Sequence, residues 1–86
     1  MFYYVYVLQS KKDNNFYIGF TTKLRNRVND QNNGRNISTR NRRPLKLIYY
    51  EGYVDKKDAQ GREKFLKSGS GMRYLKKQMR YYLGIG

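Results

Sequence analysis

The chain carries six aspartates and glutamates against nineteen lysines and arginines, so any chemistry that needs a carboxylate must draw on a short list. Asp13 falls in a turn, Asp55 and Asp58 stand where they would cap a helix and complement its dipole, Asp30 sits near a helix end, and Glu51 lies between a strand tyrosine and Gly52. Glu63 alone shares the apolar face of a helix with Ala59 and Leu66, where an ionised carboxylate is costly unless a cation or hydrogen-bond donors meet it. Two readings stand side by side: a metal ligand, or a helix-surface pair with Lys67 worth about 0.2–0.5 kcal/mol.

Arg27 divides in the same way. Its stem could cover Leu24 with the guanidinium in water, or its planar, permanently charged fork could stabilise charge building on a phosphate. Tyr6 and Tyr17 could pack as strand tyrosines commonly do, yet their separation suits a hairpin that brings two hydroxyls to one side. An unperturbed phenol, with a pKa of about 10, is a poor base at neutral pH; local cations and metal-bound water could lower that barrier. Gln31 can position a water through its amide but cannot take a proton from it.

Positioning these groups requires a recognisable set of elements. Phe2 to Leu8 and Phe16 to Phe20 are aromatic and β-branched runs separated by Lys11-Lys12-Asp13-Asn14-Asn15, which reads as a β-hairpin turned by residues tolerant of positive backbone angles. Thr21 or Thr22 is expected to cap a helix in which Leu24, Arg27, Val28 and Gln31 share a face, ending near Asn32-Asn33-Gly34. Gly34 to Arg43 lacks a core-forming period; its Arg35, Arg40, Arg42 and Arg43 would clamp phosphate. Pro44 suits the entry to a third strand over Leu45 to Val54. Asp55, with Asp58 in a capping-box-like arrangement, opens a second helix. Ser68-Gly69-Ser70-Gly71 breaks that helix, and Ser70 would cap a last one whose apolar stripe is Met72, Leu75, Met79 and Leu83. The order is β-β-α-β-α-α, a small antiparallel or mixed sheet covered by helices.

Composition narrows the partners. The 86 residues make one domain, 1–86, burying only about 60% of the surface of its unfolded chain. Without cysteine or histidine there is neither a disulfide framework nor a thiolate or imidazole metal site, and any metal must be held by oxygen. No run approaches a membrane span and no signal peptide opens the chain, so the expected setting is cytoplasmic, associated with the nucleoid. The net charge of +13 makes a polyanion the expected partner, bound in a salt-sensitive way. Ten tyrosines interleaved with that charge could stack bases, although most are needed for the core.

One layout ties these residues together. Val5-Tyr6-Val7 closes the first apolar run, Tyr17-Ile18-Gly19 opens the second, and Arg27 follows ten residues later. This resembles the GIY-YIG nuclease domain, over Phe2 through Lys67, and is most similar to its small stand-alone bacterial members. The resemblance implies an α/β (α+β) fold with a three-stranded antiparallel sheet and the active site on one face. It implies that Tyr6, Tyr17, Arg27 and Glu63 are catalytic, Glu63 being the metal ligand within Arg62-Glu63-Lys64, and that one Mg²⁺ or Mn²⁺ is the cofactor. Gly19 would stand where the backbone passes close to the helix or phosphate, or would only end a strand. Position 31, commonly His or Tyr in the family, is Gln31, and the last helix offers Gln78 where several members have asparagine.

The expected function is then a metal-dependent endonuclease acting on DNA, branched or nicked, in repair or processing. Lewis-acid assistance would come from the metal at Glu63, water orientation from Tyr6 and Tyr17, and charge neutralisation from Arg27. Arg35, Arg40, Arg42, Arg43, Lys76 and Lys77 would hold the strand without reading its sequence. RNA stands as the alternative polymer, and a recruiting protein partner is expected because no targeting domain accompanies the catalytic one. The alternative function is a catalytically impaired nucleic-acid-binding module, motivated by Gln31; a basic RNA- or ribosome-associated structural protein is the third reading.

Overall fold

A computed structural model describes residues 1–85. Three antiparallel strands, β1 (Tyr3–Ser10), β2 (Phe16–Thr21) and β3 (Leu45–Tyr53), lie in the order β2-β1-β3. The helices are α1 (Leu24–Asn32), α2 (Lys56–Leu66), α3 (Gly69–Gln78) and the single-turn α4 (Arg80–Leu83), with a 3-10 turn at Arg40–Arg42 inside the arginine-rich loop. The expected order and antiparallel sheet therefore stand. The hairpin turns through Asn14 at φ 63, one of the left-handed conformations that Asn adopts at low cost.

Alternation along β1 sorts the core into two layers, because successive side chains point to opposite faces. Val5 and Val7 face α2 and α3 and pack with Ala59, Leu66, Leu75 and Met79, while Tyr6 and Leu8 face α1 and pack with Leu45, Leu24, Val28 and Leu47. The strand β3 serves both layers through a β-bulge. Val7 pairs with Tyr49 and Leu8 with Leu47, leaving Ile48 as the extra residue, so that Leu45 and Leu47 face α1 while Tyr49 and Tyr53 join the layer under α2.

Several caps differ from expectation. The helix α1 starts from Lys23 without a side-chain cap; Thr21 instead accepts a hydrogen bond from the Lys23 N–H at 3.0 Å, closing a local turn that competes with capping. At α3 the cap is Ser68, whose hydroxyl accepts from Gly71 N–H at 3.1 Å, not Ser70. A Cβ on Gly71 would collide with the main chain of Phe65 and Leu66, so the two helices meet backbone to backbone at the turn. Asp55 caps α2 through Lys57 N–H, with Asp58 in the first turn. The last apolar stripe breaks at Met79, which divides α3 from α4, yet Met79 and Leu83 still reach the same core cluster.

Candidate active site

The outer edge of β2 is where the candidate residues meet. Tyr6 stands opposite Gly19 in the β1–β2 register, and a Cβ on Gly19 would collide with the Tyr6 ring and hydroxyl. The glycine therefore lets the Tyr6 ring lie across β2 and bring its hydroxyl to the strand's free side. The close neighbour that requires Gly19 is this ring, rather than a helix or a phosphate. From one face α1 adds Arg27 and Gln31, one helical turn apart; from the other α2 adds Glu63 and Lys67.

These side chains line a cleft of about 530 Å³ together with Tyr17, Phe16, Met72 and three residues of the arginine-rich loop, Asn36, Ser38 and Thr39. The sequence reading did not single out Asn36, Ser38 and Thr39 as site residues, because a loop has no period to mark which side chains turn inward, and it gave Lys67 only as the ion-pair partner of Glu63. Thr39 and Gln31 are both buried, at 4% and 5% exposure, and the Thr39 hydroxyl donates to the Gln31 amide oxygen. That bond leaves the amide nitrogen of Gln31 on the side of Tyr6.

Burial pushes the Tyr6 phenol above its usual value; Arg27 and Gln31 beside the hydroxyl pull it down and Glu63 adds to the rise. Among the protein's own groups, taking the ring out of water outweighs the neighbouring Arg27 cation. Tyr17 directs its hydroxyl to Asp13 at 3.5 Å, a long contact at the limit of hydrogen bonding. Glu63 pairs with Lys67 at 3.0 Å, so the surface-pair geometry and the cleft position both hold for the same carboxylate. Among the described residues no group of three His, Cys, Asp or Glu side chains converges. Magnesium held by one carboxylate, waters and substrate phosphate fits such a sparse set, and Glu63 is the carboxylate that the cleft offers.

The basic residues of the loop make contacts within the protein. Arg42 pairs with Asp13 at 2.9 Å, and its carbonyl accepts from the Ser10 hydroxyl at 2.6 Å. Arg40 donates to the Gly34 carbonyl at 2.9 Å, Arg43 to the Arg40 carbonyl at 2.7 Å, and Arg35 lies 3.6 Å from Asp30. These contacts hold the loop in shape, and the loop in turn presents Asn36, Ser38 and Thr39. Arg35 lines a depression that shares Arg27, Gln31 and Asn36 with the cleft. Lys76 lines another that shares Phe16, Tyr17 and Met72 with it, and Lys77 is exposed on the same helix.

A second polar cluster sits on the other flank of α2. Arg62 donates to both oxygens of Glu51, at 2.8 and 3.0 Å, and Tyr49 and Tyr53 donate to the same carboxylate at 2.5 and 2.6 Å. The guanidinium also lies over the rings of Phe65 and Tyr74, 5.2 and 4.6 Å from their centroids. Burial opposes the charge on Glu51, but the donors prevail and hold its pKa below the ordinary value. Tyr49 and Tyr53 are pushed up to about 12 by burial and by the Glu51 charge they bond.

Comparison with known proteins shows what the chain is similar to. The family model of the GIY-YIG catalytic domain matches residues 2–79. A UPF0213 protein of Clostridium perfringens is 43% identical over 65 residues, which span 74% of this chain and 69% of that protein. One from Streptococcus pneumoniae is also 43% identical over 65 residues, 74% of this chain and 65% of the relative. The solution NMR structure of a UPF0213 protein from Bacillus halodurans superposes with a TM-score of 0.55 at 31% identity, covering 87% of this chain and 82% of the other.

Proposed function

The chain belongs to the GIY-YIG family, a family of nucleases, and from that premise we propose that residues 1–86 act as one divalent-metal-dependent endonuclease domain hydrolysing DNA phosphodiester bonds in repair or processing. What supports the reading is the meeting of Tyr6, Tyr17, Arg27, Gln31 and Glu63 around one cleft. Four separate elements contribute to it, and packing alone gives no reason for a carboxylate, a guanidinium and two phenols to converge on a strand edge.

Glu63, with water and substrate phosphate, would hold one Mg²⁺ or Mn²⁺. When bound, the metal would supply Lewis acidity to the scissile phosphate. Arg27 lies where its guanidinium neutralises charge that develops on the phosphoryl oxygens, an electrostatic contribution that needs no proton transfer. Tyr6, with its proton held tightly by burial, serves as a hydrogen-bond donor that orients the attacking water and does not deprotonate it. Tyr17 and Gln31 fix the remaining directions of that water. In the balanced step the water oxygen bonds to phosphorus, the bond to the 3′ oxygen breaks, and the water's proton passes to solvent while the 3′ oxygen is protonated.

A second reading has its own observation. Gln31 is buried and locked by Thr39, and Tyr6 is shifted away from basicity, so neither can accept a proton at neutral pH. A binding module with weak or lost catalysis has the same cleft. Both readings are tested by incubating supercoiled plasmid, labelled branched and nicked DNA, and structured RNA at low salt with Mg²⁺, Mn²⁺ or EDTA, using wild type, Glu63→Ala and Arg27→Ala. Metal-dependent cutting lost in both variants supports the nuclease; retarded but intact polymer in every lane supports the binding module. Cutting of RNA alone would overturn the assignment to DNA. No helix among the described residues is long and apolar enough to cross a membrane.

A further inference from the structure

The face of the sheet that carries Tyr6 is only partly covered. The nine-residue α1 is about 14 Å long, whereas the eight residues of β1 extend about 26 Å. The helix packs over Leu8, Leu45 and Leu47 and leaves Phe2, Tyr4 and Tyr50 at the open end. Phe2 and Tyr50 are 50% and 55% exposed. The Tyr4 ring lies 6.3 Å from that of Phe2 and 5.9 Å from that of Tyr50, and all three occupy one surface. Gly52, paired with Tyr4, lies beneath the Tyr4 and Phe2 rings, where an added Cβ would meet them at ordinary van der Waals distance.

Beside these rings a groove of about 640 Å³ runs along the near flank of α1, lined by Lys23, Arg25, Asn26, Asn29, Tyr4 and Tyr50 among others and by no acidic residue. Arg25 and Arg27 are two residues apart, about 200° around the helix, so one faces this groove and the other the catalytic cleft. Neither Lys23 nor Arg25 takes part in an ion pair among the described residues.

We propose that Phe2, Tyr4 and Tyr50, flanked by Lys23 and Arg25, form a second nucleic-acid subsite that stacks unpaired bases. Exposed rings next to uncompensated cations, on a chain of net charge +13, match the chemistry of a single strand: π-faces for the bases and positive charge for the phosphates. A duplex keeps its bases stacked on one another and offers the rings nothing, so the subsite selects polymer with an unpaired stretch. With α1 about 10 Å across, such a stretch would lie close to the scissile bond, which makes flapped or branched DNA the fitting substrate class. The inference rests on the nucleic-acid part of the reading above and not on cleavage.

The test is fluorescence anisotropy in EDTA with a labelled oligothymidine and a duplex of the same length, for wild type, Tyr50→Ala, Tyr50→Phe and Lys23→Ser/Arg25→Ser. Tyr50→Ala is expected to weaken single-strand binding about tenfold, and Tyr50→Phe to restore it. Duplex binding should change less than about twofold, since no stacking is lost there. The double variant should lower the salt slope on single strands by about 1.4, two phosphate contacts at about 0.7 each. Unchanged single-strand binding by Tyr50→Ala, or equal losses on both polymers, would overturn the subsite. So would a wild-type dimer that Tyr50→Ala converts to monomer with oligothymidine binding intact, which would give the face to a second copy. Should Tyr50→Ala fail to fold by circular dichroism, the double variant decides: a loss confined to single strands supports the subsite and an equal loss overturns it. Because binding is read without metal, a protein that cuts nothing still answers the question, and a protein that cuts plasmid but shows no Tyr50 effect loses the subsite alone.

Discussion

Arg62 and Glu63 are neighbours in sequence on α2 and differ in how fully their charges are met. Arg62 points to β3, where both oxygens of Glu51 accept from it and two phenols share that carboxylate. Glu63 points to β2 and meets Lys67, whose side chain is more than half exposed. The first charge is saturated by strand and aromatic partners; the second is met by one exposed side chain of its own helix. A saturated buried network fixes how an element packs, whereas a carboxylate with one exposed partner keeps acceptor capacity for a ligand. The saturated cluster and the carboxylate proposed for the chemistry are thus separated by about 100° around one helix.

The largest separation of the two flanks should come from Glu63→Ala. Cleavage is expected to fall on the order of 10³-fold while stability changes by less than about 0.5 kcal/mol, since only an exposed i,i+4 pair is lost. Plasmid nicking and thermal unfolding on the same sample measure both; a large drop in melting temperature would break the comparison. Glu51→Ala should do the opposite. It leaves Arg62 and two phenols without their acceptor and is expected to cost about 2–3 kcal/mol, or roughly 10–20 °C in Tm for a domain this size. Cutting well below that temperature should be unchanged.

Titration sharpens the same contrast on a smaller scale. Glu51 has a lowered folded pKa, so its contribution is present above the ordinary carboxylate value and is lost as pH falls through the folded value. Tyr49 and Tyr53, raised to about 12, contribute fully below about 10 and lose their contribution as pH rises from there towards 12. Denaturant midpoints against pH should fall on both sides for wild type and be flatter for Glu51→Gln, whose Tyr49 and Tyr53 no longer face a carboxylate; parallel curves would refute the cluster's role. The smallest effect belongs to Lys67→Ala. Stability should move by about 0.2–0.5 kcal/mol, and half-maximal cutting should need a few-fold less Mg²⁺ because the ammonium no longer competes for Glu63. A higher metal requirement would show that Lys67 helps to build the site.

Much of this architecture was legible from local pattern. Strand runs, the Leu24–Val28 face and the Met72–Leu83 stripe announce themselves because apolar period follows secondary structure, and family resemblance brought Tyr6, Tyr17, Arg27, Gln31 and Glu63 to attention before the structure placed them together. The Glu51 cluster was not legible, since its partners lie on β3 and α2 and become neighbours only through packing. Ser68 and Ser70 are both competent caps, and the close approach at Gly71 decides between them. The inward turn of Thr39 had no signal in a polar loop, and the direction of the Tyr6 shift depended on how deeply its ring is buried.

The extra residue at Ile48 also sets how this chain tolerates changes of length. Because side chains alternate along a strand, removing one residue there would force a choice: either Leu45 and Leu47 leave their layer, or Tyr49, Glu51 and Tyr53 swing away from α2. A one-residue deletion at the bulge should therefore be far more harmful than one at the exposed turn between β1 and β2, and shortened sequences that survive selection would be expected to lose residues from that turn.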